Sequence, residues 1–158
     1  MDDIEEEAMS SLGVRLGGFM FVSCWTYGEK ESIPLWKMYT PSSGGVRITL
    51  QKNMFKSFKI SKEDIETYHI LNESGADFSS FIPLSEMFTT DYTILNTFWN
   101  DQFFFKKLEY VEDIKSVYDS LMELSNGKMS LKLNNIGSFK HVDWSFQEEC
   151  RFRLIILP

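Results

Sequence analysis

Apolar and polar positions change period several times along this chain. In the closing run "DWSFQEECRFRLIIL", Cys150, Phe152 and Leu154 alternate with Glu149, Arg151 and Arg153. Side chains two apart share a face of a strand, so the run predicts a strand with Gln147, Glu149, Arg151 and Arg153 on one side and a buried apolar side opposite. Starting the strand at Phe146 would put Glu148 among the buried residues. The strand is therefore expected to begin near Glu149, or Glu148 to be paired. "LGGFMFVSCW", residues 16–25, is apolar, aromatic and β-branched, and predicts a buried strand. In "VRITL" the residues Val46, Ile48 and Leu50 alternate with Arg47 and Thr49, which predicts a strand with one apolar face. "YTIL", residues 92–95, predicts a short strand.

Helical spacing appears elsewhere. "ESIPLWKMYT" predicts a helix capped by Ser32, with Pro34 in the first turn, where the missing N–H costs nothing. Leu35, Trp36, Met38 and Tyr39 crowd one side of it, and "PSSGG" at 41–45 ends it. "TYGEKE" reads as a turn, and "QKNMFKSF" as a short helix. "SKEDIETYHI" carries Ser61 as a cap and Asp64 at the capping-box position. In "VEDIKSVYDSLMELSNG", Ile114, Val117, Tyr118, Leu121 and Leu124 recur at helical spacing, with Asn126-Gly127 as the stop. Phe98, Trp99, Phe103, Phe104 and Phe105 are expected as core or interface filler. Strands and helices interleave without clean βαβ units. The prediction is a single α+β domain over 1–158 with a small mixed or mainly antiparallel sheet packed by several helices.

Composition narrows the function classes. The 158 residues are 43% hydrophobic, and the net charge is −7 with a pI near 4.9. Nucleic-acid binding needs clustered Lys and Arg, so that class is not expected. Asp2, Asp3, Glu5, Glu6 and Glu7 concentrate acid in "MDDIEEE". That segment reads as a flexible terminus within residues 1–12, as an acidic first turn, or as a docking segment for a basic partner. No basic n-region with an apolar stretch is seen, and no apolar run reaches the roughly 18 residues of a membrane span. The expectation is a cytoplasmic protein with reduced thiols and no membrane contact. The oligomeric state stays open.

Few residues suggest chemistry. Glu149 beside Arg151 reads either as a structural ion pair or as a partly buried carboxylate in a site. Trp25, Trp36 and Tyr39 could wall a planar ligand, or simply pack. Arg47 could hold a phosphate or carboxylate through its planar fork, or make a surface salt bridge. Cys24 is read as a small buried thiol rather than a nucleophile. His69 and His141 lack partners at metal-ligand spacing. No phosphate loop, dinucleotide fingerprint or nucleophile elbow is present.

The ordered blocks "FVSCWT", "ESIPLWKMYT", "GGVRITL" and "FKHVDWSFQEECRFRL" resemble the bacterial and phage family called domain of unknown function 2971. The resemblance rests on Ser23 and Cys24, on Trp36 and Tyr39, on Gly45, Val46 and Ile48, and on Trp144, Gln147, Glu149 and Arg151. Against that family this chain reads as a short member or a fragment, without the usual Asn-Asp-Pro-Phe-like stretch, and with Gln147 at the first Glu of the closing pattern. The Gln-x-Glu strand is also similar to the last motif of ADP-ribosyltransferases. That similarity implies Glu149 as catalytic acid, Gln147 orienting the acceptor, Ser23 on the middle strand, and Trp36 or Tyr39 stacked on the nicotinamide of NAD. Arg15 is the nearest counterpart of that superfamily's first-strand residue. The competing reading is a protein-binding module or inhibitor that uses the acidic N-terminus or an aromatic surface. In a third reading, these blocks only build the fold.

Overall fold

The computed structural model describes residues 16–40, 44–51, 53–68, 79–95, 101–113, 117, 120–125 and 128–158. The acidic N-terminus, Arg15, His69, Phe98, Trp99, Ile114, Tyr118 and the Asn126-Gly127 pair lie outside them, as do residues 41–43. In chain order the elements are β1 (Met20–Thr26), α1 (Ile33–Tyr39), β2 (Phe58–Lys59), α2 (Lys62–Thr67), β3 (Ser79–Ser80), α3 (Leu84–Met87) and β4 (Thr93–Leu95). They continue with α4 (Asp101–Phe104), β5 (Phe105–Lys107), β6 (Glu109–Val111), β7 (Met122–Ser125), β8 (Lys128–Leu131), β9 (Phe139–His141) and β10 (Glu149–Leu157). The fold is α+β, as predicted.

Strand β10 is the axis of the main sheet. Along one edge it pairs antiparallel with β1, from Met20 opposite Ile155 to Thr26 opposite Glu149. Its other edge is shared, with β5 opposite Cys150 to Phe152 and β4 opposite Ile155 to Leu157, both antiparallel. At Leu108 the chain leaves this sheet, and β6 runs parallel to β9. Both faces of β10 are covered. On one, Phe152 meets Phe55 and Phe105 at ring distances of 4.8 and 5.0 Å, and Phe55 meets Phe104 at 5.0 Å. Farther along that face, Leu154 and Ile156 pack on Leu84, Met87 and Ile94. The opposite face carries Glu149, Arg151 and Arg153. It is closed by residues 133–141, whose Ile136 and Phe139 form a core with Val117 and Leu121.

Local signals hold where the cap chemistry is complete. Ser32 accepts from the Leu35 N–H to start α1, and Ser61 and Asp64 form the full capping box of α2. The short strand at "YTIL" is β4. Glu148 escapes burial in a left-handed turn, with φ 43°, so β10 begins at Glu149, and Gln147, expected on the strand, instead ends the 3-10 helix Val142–Gln147.

Four expectations are corrected. Residues 44–51 form no strand, and Val46, Ile48 and Leu50 are 87, 66 and 49% exposed. Alternation encodes a strand only where a neighbour completes the ladder. "QKNMFKSF" forms no helix in its described part, because Phe55 is drawn into the aromatic cluster. The first strand begins at Met20 rather than Leu16. It is largely exposed, Cys24 included, because among the described residues β1 is an edge strand. The helix expected to run through Leu124 stops at Leu121. Met122–Ser125 instead pairs antiparallel with Lys128–Leu131. Asn-Gly is a hairpin signal as much as a helix stop. The described part of the phenylalanine stretch is core filler, with Phe104 buried and Phe105 packed on Phe152. Among the described residues no helix is long and apolar enough to cross a membrane.

Two substitutions test this layout. Leu121→Ala should cost about 2–5 kcal/mol, as expected for a buried leucine. Ile48→Ser should stay within about 0.5 kcal/mol of wild type, as expected for an exposed residue outside any ladder. Urea unfolding midpoints check both. A large loss at Ile48 would restore the strand.

Candidate functional site

The alternation of the closing strand sets up the site. Glu149 and Arg151 point to one face, and Arg151 Nε donates to Glu149 Oε1 at 2.7 Å. From β9, Lys140 donates to Glu149 Oε2 at 2.8 Å and to Gln147 Oε1 at 2.6 Å. Lys140 is also 5.2 Å from the centre of the Trp144 ring. The chain is thereby ordered as Gln147, Lys140, Glu149, Arg151, and it ends where Arg151 Nη1 donates to the Gly137 carbonyl at 3.2 Å. Gly137 has φ +71°, and a Cβ there would press on Met20 Sδ. Tyr110 on β6 accepts the Glu149 N–H at 2.9 Å. Arg153, 1% exposed, donates to the Ile136, Asn134 and Phe103 carbonyls and to Ser138 Oγ.

Burial pushes the Glu149 carboxyl up, but hydrogen bonds from Lys140 and Arg151, with the Arg151 charge, outweigh it and hold the group below the usual carboxylate range. The thiol of Cys24 lies opposite Arg151 in the ladder and on the same face. Partial desolvation by its neighbours pushes this exposed thiol up, and its hydrogen bond to Glu149 and that residue's charge push it further.

A cleft of about 640 Å³ opens at this end of the β1–β10 pair. Trp36 and Tyr39 of α1, Arg47 of the extended segment, and Gln147 and Glu149 all line it, as does Trp25. Five of the seven sequence-selected residues thus meet at one cavity. The α1 cap sets the phase of Trp36 and Tyr39, and Arg47 is tied back by its Nη2, which donates to the Gly28 carbonyl at 3.1 Å. A Cβ at Gly28 would meet the Glu148 carboxylate, an exposed side chain that would have to swing aside.

Two selected residues fall elsewhere. Ser23 is opposite Phe152 in the ladder and so faces away from Glu149; its Oγ accepts from Trp25 Nε1 at 2.9 Å. Ser23 stands on β1, next to β10, but a one-residue step along a strand changes face, so its side chain and that of Glu149 point to opposite sides. Arg151 does not line the cleft, because its guanidinium is spent on Glu149 and the Gly137 carbonyl. The charged side chains form a buried ion-pair network, of which only Gln147 and Glu149 reach the cavity. Lys140 was missed. Its only local signal is the alternation Phe139-Lys140-His141, which says nothing of a partner nine residues on.

A family model described as "Protein of unknown function (DUF2971)" matches residues 35–152, from α1 into β10. The chain belongs to that family. The DUF2971 match contains Trp36, Tyr39, Arg47, Gln147 and Glu149 and leaves out β1. No curated protein and no solved structure matches the chain.

The network has a pH signature. Glu149 has a folded pKa below its ordinary value of 4.5, so the unfolded chain takes up the proton first. Its stabilisation is present above that value and is lost as pH falls through the lower folded one. Glu149→Gln should be less stable at neutral pH, and its urea midpoint should fall less steeply below pH 4.5 than the wild-type midpoint. Parallel acid profiles would contradict this. The same variant removes two influences that raise the Cys24 thiol, so iodoacetamide should label Cys24 faster than in wild type, as read by peptide mass mapping. An unchanged rate would uncouple the two groups.

Proposed function

We propose that this chain is a small-ligand-binding domain whose ligand places a flat ring in the cleft between α1 and the end of the β1–β10 pair. The observation that carries this is the convergence of Trp36, Tyr39, Arg47, Gln147 and Glu149 on one cavity. Its volume, about 640 Å³, lies within the range of ordinary ligand sites. Aromatic rings supply stacking surface, Arg47 supplies a fork for phosphate or carboxylate, and Gln147 and Glu149 supply directional hydrogen bonds.

NAD is the ligand to test first, on the similarity of the Gln-x-Glu strand to ADP-ribosyltransferases. Its ring would stack on Trp36 or Tyr39, and its phosphates would lie toward Arg47. A carboxylate offers about four acceptor positions, and Lys140, Arg151 and the Cys24 thiol fill three at Glu149, which leaves one for a ribose hydroxyl. Transfer of ADP-ribose asks more of Glu149, namely support for positive charge on the sugar. Two cations on one carboxylate weaken that support, so the geometry favours binding over catalysis.

A protein partner is the second reading. It is favoured by Tyr39, Val46 and Ile48, which are 71, 87 and 66% exposed on the rim of the cleft.

Calorimetric titration with NAD decides between the two. Wild type should bind, and Trp36→Ala should weaken binding by about tenfold or more, since stacking of a base on an aromatic ring is worth about 1–3 kcal/mol. Glu149→Gln, verified as folded, should also bind less tightly. A folded wild type that takes up no NAD would remove the nucleotide and raise the protein contact at the rim above it.

A further inference from the structure

Gln147 is 5% exposed, yet it lines the cleft. Its Oε1 accepts from Lys140 Nζ at 2.6 Å. A lysine ammonium carries donors and no acceptor, so the amide cannot be turned round without setting two donors against each other. Its Nε2 therefore faces away from Lys140. Among the described residues no acceptor takes a hydrogen from Nε2, and this nitrogen is not one of the sealed orphan atoms. With Oε1 taken by Lys140, Nε2 is the polar atom that Gln147 has left to offer the cleft it lines.

A ligand that covers this N–H without accepting from it strands a polar group, which costs more than an ordinary hydrogen bond returns. We infer that Lys140 is a positioning residue that locks Gln147 as a hydrogen-bond donor, and that the cleft selects ligands with a carbonyl acceptor beside a flat ring. Both Glu149 oxygens are held by the cations Lys140 and Arg151, so the donor that Gln147 offers, rather than the Glu149 charge, sets what the carbonyl must do. Aromatic carboxamides are the simplest members of that class. Lys140 sets the polarity of the site without lining it, and by holding both Gln147 Oε1 and Glu149 Oε2 it keeps donor and acceptor in fixed places along one wall.

This rests on the small-ligand reading of the cleft but not on NAD. The test is an NMR titration with benzamide on wild type, Gln147→Glu, Lys140→Met and Trp36→Ala. Glutamate keeps the shape and the Lys140 contact but has no N–H. Gln147→Glu should weaken benzamide by about tenfold, the loss of one buried hydrogen bond, with the thermal midpoint unchanged or raised. Lys140→Met should also weaken it, and in wild type benzamide should shift the Gln147 side-chain amide signals. Should Lys140→Met fail to fold, Gln147→Glu and the amide signals still decide. Equal benzamide affinity in wild type and Gln147→Glu, with loss in Trp36→Ala, would overturn the donor lock and leave the cleft standing. No binding of benzamide or NAD by folded wild type would overturn both.

Discussion

A strand covered on both faces has to find partners for every charge it carries, and β10 carries three within five residues, Glu149 to Arg153. Taking a carboxylate and two guanidinium groups out of water is costly, and pairing repays the cost only if geometry and hydrogen bonds are complete. The rest of the fold supplies most of them. Strand β9 brings Lys140 to the free oxygen of Glu149, the turn at Gly137 offers a carbonyl to Arg151, and residues 134–138 give Arg153 two carbonyls and a hydroxyl. Tyr110 satisfies the first N–H of the strand. Replacing Glu149 by a residue that cannot pair would leave buried cations facing each other, at a cost of roughly 3–5 kcal/mol.

The cleft follows from how this strand begins. Glu148 turns left-handed and leaves the sheet, which lets Gln147 close the preceding turn from inside while Glu149 starts the ladder. Beyond that point β1 has no neighbour other than β10 among the described residues, and helix α1 and the extended segment 44–51 stand over the end of the pair. The cavity is thus the place where the buried charge network ends and the aromatic wall begins. A ligand there would touch both, and Lys140 would reach it only through Gln147 and Glu149.

Much of this was legible along the chain, and the failures share a cause. Ser32, Ser61 and Asp64 act within one helical turn, so their capping was readable. The period of two at 149–154 was readable because a strand imposes it whatever lies opposite. "VRITL" has the same period and makes no strand, because the pattern does not say whether a partner is present. Asn126-Gly127 suits a helix end or a hairpin, and only the pairing of Met122 with Leu131 separates them.

The sequence by itself determined which residues have chemistry to offer and which face each takes within its own element. It placed Glu149 and Arg151 on one side of a strand, and Trp36 and Tyr39 on a capped helix, whereas Gln147, expected on the same strand, ends the helical turn before it. Only the tertiary structure decided who meets whom. It turned Ser23 away, spent Arg151 on an ion pair, and set Lys140 between Gln147 and Glu149. Local periodicity is fixed by backbone geometry over a few residues. Burial and pairing depend on segments far apart in the chain, and no local pattern encodes their meeting.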